Sequence, residues 1–267
     1  MTLKRILITG AAGGLGQMLR PELKGMAEII RLSSRRPLEP GPHEEFVACD
    51  LADAPAVDRL LEGVDAVVHM GGHASEAPWD VILSANIVGA INLWEAARKA
   101  GTKRIIFASS NHAIGLYTRQ DKLDHTSPAR PDGRYGLSKA FGEDLANLYA
   151  YKYGIRALCM RIGSTFPKPK SRRMLSTWMS YPDMVEMTRI GLTADYLYEI
   201  VYGVSDNDRN WWDNSNAYRL GFRPQDNAER FVDEVGAIGE ATELAEHFQG
   251  GRLAATEYDG KPRGEGQ

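Results

Sequence analysis

The chain has 267 residues, enough for one large α/β domain but too few for two full ones. Its 43% apolar and 25% charged content is ordinary for a globular protein, and a formal net charge of −3 gives no global field to draw in nucleic acid or an anionic membrane. No apolar run approaches bilayer length, and Cys49 and Cys159 lack the spacing of a metal site, so neither a membrane span nor a metal is expected.

Met1 leads directly into a strand with no signal-peptide pattern, so the cytoplasm is the expected compartment. Short β-branched runs predict strands over 5–9, 27–32, 45–49, 66–70 and 104–108. Between them, amphipathic stretches predict helices over 14–23, 54–61, 77–100 and 135–153. Runs such as AVVHM and RIIFA are apolar throughout, as parallel strands buried on both faces are. The alternation predicts an α/β, Rossmann-type doubly wound parallel sheet, continued by a strand over 156–161. STFPKPKSRRM is too rich in proline and cations for a regular element. A helix over 181–192, a strand over 197–204 and a helix over 224–235 follow. The reading is one domain over 1–257, with a small substrate-binding C-terminal extension from about 162 and a flexible tail over 258–267.

The first strand runs into Gly10-Ala11-Ala12-Gly13-Gly14-Leu15-Gly16 and then a helix. Gly10 permits the tight turn, Gly13 lets backbone approach a pyrophosphate, and Gly16 lets helix and strand pack closely. The helix start at Gly14-Leu15 offers free N–H groups to phosphate. Glycines also mark ordinary turns, but the first strand-to-helix junction of an alternating chain is the context for dinucleotide binding. The second strand ends Arg31-Leu32-Ser33-Ser34-Arg35-Arg36, without the acid that would bind the ribose hydroxyls of NAD. Two hydroxyls and two guanidiniums suit the extra phosphate of NADP, which is favoured over NAD; a solvated basic loop is the plainer reading. Asp50-Leu51 is placed to touch the adenine, or Asp50 caps the next turn.

Tyr135 and Lys139, four residues apart, share one helix face. An ammonium beside a phenol favours the phenolate, giving a base suited to an alcohol proton. Ser110 stands in FASSNHAIG at the end of the fifth strand, where open α/β sheets place ligands, and its hydroxyl is suited to hold the reacting oxygen. Asn86, in SANIVGAIN, is either a brace reaching Lys139 through a water or only a polar residue early in a helix.

Gly10, Gly13, Gly16, Asp50-Leu51, His69-Met70-Gly71-Gly72, Asn86, Ser110 and Tyr135/Lys139 together resemble the extended short-chain dehydrogenase/reductase superfamily. The resemblance implies Ser110, Tyr135 and Lys139 as a catalytic triad with Asn86 as fourth member, and Met70, Gly71 and Gly72 on the cofactor. FASSNHAIGLY, RPDGRYGLSKAFGEDLA, RIGSTFPKPKSRRMLSTWMS, NWWDNS and FQGG further resemble the uronate dehydrogenase family. That family oxidises hexuronates at C1 to the lactone. It grips the substrate carboxylate with residues matching Ser164 and Arg173, and Asn111 and His112 would line the sugar. A guanidinium does pair well with a planar carboxylate, although KPKSRR also reads as a solvated loop, and Lys170 and Arg172 are not given that role. The resemblance also makes the 77–100 helix a candidate dimer face.

Three positions depart from the family's pattern. Ser34 stands where an aspartate is usual, the sugar loop reads Gly71-Gly72-His73-Ala74, and Ala113 replaces a threonine. A substrate hydroxyl contact is then lost or moved to His73 or Ser75, which can alter the sugar accepted. The leading expectation is an NADP- or NAD-dependent dehydrogenase of an anionic aldose, hexuronate first. A sulfonated, phosphorylated or neutral aldose, sulfoquinovose for example, is the alternative. A nucleotide-sugar epimerase needs more chain after Arg161, and a non-catalytic dinucleotide sensor would not need Tyr135 and Lys139.

Overall fold

A computed structural model describes residues 3–261. Strand β1 (Leu3–Thr9), helix α1 (Gly14–Glu22), β2 (Ala27–Ser34), β3 (Glu44–Ala48), α2 (Ala54–Leu61) and β4 (Ala66–His69) form the first half of the sheet. The chain continues through α3 (Trp79–Ile82), α4 (Gly89–Ala100), β5 (Arg104–Ser110), α5 (Arg134–Tyr153) and β6 (Arg156–Ile162). Then come β7 (Ser164–Thr165), α6 (Met174–Thr177), β8 (Trp178–Met179), α7 (Tyr181–Thr193) and β9 (Tyr198–Gly203). Short helices α8 (Ser215–Arg219), α9 (Val232–Val235), α10 (Glu243–His247) and α11 (Arg252–Ala255) complete the described chain.

Seven strands pair in the order β3-β2-β1-β4-β5-β6-β9, all parallel, which is the doubly wound sheet expected. The apolar runs explain it: β4 is buried along its whole length, and β1 at its last four positions. One face of the sheet packs Ile6, Ile8, Leu19 and Ile106 with α1 and α7; the other packs Leu7, Val67, Leu93 and Trp94 with α2 and α4. The strand order reverses between β1 and β4, so a crevice opens at their carboxyl ends, where such folds bind ligands. Among the described residues no helix is long and apolar enough to cross a membrane.

Two predicted helices are corrected. The 77–100 helix is broken: α3 leads through a π-helical turn, Leu83–Val88, into α4. The turn carries Asn86, whose side chain is committed to tertiary partners described below, and such bulges recur at functional sites. The 224–235 helix is a 3₁₀ turn at Ala228–Phe231 followed by the single turn of α9. The Ala228 N–H, which a helix from 224 would return to residue 224, instead goes to Asn207 Oδ1 at 2.9 Å, while Gln225 and Asp226 donate to the buried Asp183 carboxylate at 2.8 and 3.3 Å. Of the expected tail, the Tyr258 ring packs 5.4 Å from that of Phe248, and residues 262–267 lie outside the described residues.

Candidate active site

At the crevice the chain builds a cleft of about 890 Å³, lined entirely from residues between Thr9 and Ala85. Gly10 has φ +65°, and a Cβ there would strike the Met70 carbonyl; a Cβ at Gly16 would strike the carbonyl of Gly10. Helix α1 has Gly13 at its N-cap, with no side-chain cap and no acid in its first turn. Its leading N–H groups therefore meet the cleft, and a pyrophosphate fits that donor set. The residues expected on the cofactor side, Gly13, Gly14, Leu15, Ser33, Ser34, Arg35, Arg36, Asp50, Leu51, Met70, Gly71 and Gly72, line the cleft, and so do His73 and Ala74, which were expected on the sugar side. Ser75 is exposed and does not line it.

The Ser33–Arg36 corner has defined geometry. Ser33 accepts from Ala11 N at 3.0 Å through its carbonyl, Ser34 Oγ donates to the Arg36 carbonyl, and Arg36 Nη2 donates to the Ala12 carbonyl at 2.6 Å. One guanidinium therefore lies across the glycine turn while Arg35 is exposed. Asp50 Oδ1 accepts from Ala52 N at 3.0 Å, and the cap of α2 is Asp53, so Asp50 closes its own turn while facing the cleft.

β5 extends two residues beyond the predicted end, because Ser109 and Ser110 pair with Arg161 and Ile162 of β6. That delivers Ser110 to the sheet's carboxyl edge, where its Oγ accepts from His112 N at 3.2 Å. Helix α5 brings Tyr135, Ser138 and Lys139, all buried. Lys139 Nζ donates to the Ala108 carbonyl at 2.8 Å and lies 5.6 Å from the centre of the Tyr135 ring. Burial pushes its pKa down to about 8. The expected depression of the Tyr135 phenol by Lys139 is corrected: its pKa is raised. Burial dominates, a hydrogen bond with Ser110 pulls down, and the charge of Asp132 pushes up.

Asn86 lies buried in the π-helical turn. Its Nδ2 donates to the His73 carbonyl at 3.0 Å and to Ser138 Oγ at 2.9 Å, and its Oδ1 accepts from His73 N at 2.7 Å. It ties the loop after β4 to α5. Glu76 does the same from the other end of that loop, accepting from Arg134 N and Tyr135 N at 3.2 and 3.0 Å. Helix α5 has only Gly133 at its N-cap, so Glu76 supplies the missing acceptors.

Beyond β6, Ser164 Oγ and Thr177 Oγ1 are 3.0 Å apart. Arg173 Nε donates to the Gln249 carbonyl at 2.8 Å. The Asn111 amide, oriented to satisfy both of its ends, donates to Ile162 O at 3.1 Å and accepts from Arg173 Nη2 at 2.8 Å. Burial draws the Arg173 pKa down to about 10 against the attraction of Glu240. Its Nη1 edge has no hydrogen-bond partner among the described residues. The neighbouring cations are committed elsewhere: Arg172 to Glu246 at 2.6 Å, Lys168 to Glu234 at 2.5 Å, and Lys170 over the Phe166 ring at 3.7 Å.

Asp132, Glu76, Thr177 and Gln249 are site residues beyond those expected from sequence. Asp132 and Gln249 lie within the family-like runs RPDGRYG and FQGG, but nothing local marks them.

Residues 6–185 match the model of the NAD dependent epimerase/dehydratase family. A uronate dehydrogenase of Pseudomonas putida is 51% identical over 94% of this chain and 95% of its own. The crystal structure of uronate dehydrogenase from Agrobacterium tumefaciens is 48% identical, with a TM-score of 0.91 over 96% of this chain and 98% of its own. A mutant of that enzyme complexed with NAD is 47% identical and gives the same TM-score, over 94% of this chain and 97% of its own.

Proposed function

Since the chain belongs to the NAD dependent epimerase/dehydratase family as a uronate dehydrogenase-like, short-chain type dehydrogenase, we propose that it oxidises a hexuronate at C1 to the lactone. The observation that carries the reading is the half-buried Arg173 guanidinium, bonded to Asn111 one residue from Ser110 and keeping an edge unpartnered among the described residues. Such an edge matches a planar carboxylate, and Ser164 is placed to fill a remaining lone pair.

Ser110 and Tyr135 hold the C1 hydroxyl between them, and Tyr135 Oη accepts its proton. The bound dinucleotide supplies the hydride acceptor. Lys139 binds the cofactor's ribose hydroxyls, turning from the Ala108 carbonyl, and its charge then favours the tyrosinate. This matters because the phenol alone is held above its ordinary value. Asn86 keeps the His73 loop against α5, so that His73 and Ala74 face the cleft beside the sugar.

For the cofactor, the relative complexed with NAD supports NAD. The Ser33–Arg36 corner, without a carboxylate and with two guanidiniums, supports NADP as the preferred form. The cytoplasm, where such dinucleotides are held, is the proposed compartment. A homo-oligomer through the apolar face of Trp79, Leu83, Val88 and Ile91 is proposed with it.

The test is a panel of initial rates with glucuronate, galacturonate, sulfoquinovose, glucose 6-phosphate and neutral aldoses, each with NAD and NADP. Uronates are expected to give the highest kcat/KM. Equal rates on neutral sugars would remove the argument from Arg173.

A further inference from the structure

Asp132 lies in the loop before α5 and has 1% of its side chain exposed. Its Oδ2 stands 2.6 Å from His112 Nδ1, and its N–H donates to the His112 carbonyl at 3.2 Å. Three glycines from separate segments make room for it. A Cβ at Gly115 or Gly250 would collide with the Asp132 carboxylate, and one at Gly136 would collide with the His112 carbonyl and press on Asp132 Oδ1. Among the described residues Asp132 Oδ1 has no hydrogen-bond partner, and His112 is the one side chain bonded to the carboxylate. The His112 ring meets the Tyr135 ring edge-on at 5.8 Å, and its backbone N–H binds Ser110 Oγ. Its Nε2 has no hydrogen-bond partner among the described residues, and the side chain keeps 16% of its surface exposed.

We propose that Asp132 is a positioning residue for sugar recognition: its carboxylate holds the His112 proton on Nδ1, leaving Nε2 to accept a hydrogen bond from a hydroxyl of the sugar. A buried anion at one ring nitrogen fixes the tautomer and so dictates what the other nitrogen can do. The inference rests on the uronate reading for its substrate but not for its tautomer. It adds a contact that the changed loop at His73-Ala74 does not supply: an acceptor, where an arginine or a serine N–H offers only donors.

Two measurements test it. Long-range ¹H–¹⁵N spectra of the cofactor-free full chain, with the His112 signals assigned by a His112→Gln variant, are expected to show Nδ1 protonated and Nε2 bare. An Nε2-protonated or doubly protonated ring overturns the proposal, and this readout needs no turnover. In kinetics, Asp132→Ala is expected to raise KM for glucuronate about tenfold, as an orphaned buried partner does, with KM for the cofactor unchanged. In a His112→Ala background the same change is expected to do nothing further. An equal rise in that background, or a loss confined to thermal stability, overturns the proposal. Should Asp132→Ala not fold, Asp132→Asn fills the socket and is read in the same cycle. Failure of the wild type to oxidise glucuronate would instead count against the uronate reading, leaving the tautomer to be judged by the spectra.

Discussion

Replacing Glu143 with glutamine keeps the shape of the side chain and removes its charge from beneath the site. Glu143 and Arg161 form a two-pronged pair, Nε to Oε1 at 3.0 Å and Nη2 to Oε2 at 2.9 Å, with side-chain exposures of 4% and 2%. Ser109 Oγ donates to the same Oε1 at 2.5 Å. Burial works to lower the Arg161 pKa, but the hydrogen bonds and charge of Glu143 more than offset it, and the pKa is raised. In Glu143→Gln the amide nitrogen must face one guanidinium nitrogen, donor against donor. Arg161 then keeps one neutral prong to the amide oxygen and long contacts to the Ser127 carbonyl at 3.3 Å and Tyr202 Oη at 3.4 Å, with no counter-charge beside it. An orphaned buried cation of this kind costs about 3–5 kcal/mol. At about 2–4 °C per kcal/mol for a domain of this size, Tm should fall on the order of 10 °C. Differential scanning calorimetry and urea titration at neutral pH measure it. The double variant Glu143→Leu, Arg161→Met should recover most of the loss, because both charges leave together. A single variant within about 1 kcal/mol of wild type would falsify the reasoning, as would a double variant less stable than the single one.

Three further outcomes are expected. Ser34→Asp should move the kcat/KM ratio toward NAD by an order of magnitude or more, roughly the cost of setting a carboxylate against the ribose phosphate; an unchanged ratio measured on one sugar would reject the Ser33–Arg36 reading. Arg173→Ala should raise KM for glucuronate on the order of 100-fold, the loss expected of a buried charge partner, while KM for the cofactor stays put in the same assays. Lys139→Met should abolish turnover yet stabilise the cofactor-free protein. With a folded pKa of about 8 against 10.5 unfolded, carrying the charge costs the wild type about 3 kcal/mol at neutral pH, less about 1 kcal/mol for the lost bond to Ala108. The unfolded state binds the proton more tightly, so that cost is full below pH 8 and fades as pH rises toward 10.5. The stability gap between the two proteins should close over that window, and a gap that widens with pH would contradict the assignment.

The features legible in the sequence are those whose cause is local. The glycine turn, the continuous apolar strands and the Tyr135/Lys139 spacing each require only neighbours within a turn or a strand, and the sheet and cleft follow from them. What was misread depends on distant partners. The π-helical turn carries Asn86, which bonds His73 and Ser138, and nothing in SANIVGAIN reveals those partners. Residues 224–235 have a helical pattern, but Asn207, about twenty positions earlier, takes the Ala228 N–H that a helix would return to residue 224. The phenol's raised pKa likewise reflects burial and Asp132 rather than its helical neighbour Lys139. Asp132 was silent because its socket is shared among Gly115, Gly136 and Gly250.

The two sides of the site belong to different stretches of chain, and this has a consequence for how the protein is made. Every residue lining the cleft beside the glycine turn has been synthesised by position 85. The Gln249 carbonyl that seats Arg173 and the Gly250 that abuts Asp132 emerge from the ribosome more than 160 residues later (249 − 85 = 164). Gln249 is itself fixed by Trp212 Nε1 at 2.8 Å and by the Thr118 and Asp121 carbonyls. A nascent or truncated chain ending before this segment would retain the glycine turn but lack the seat of the guanidinium. On the roles proposed above, the seat of the guanidinium that would meet the sugar is the last part of the site that translation completes.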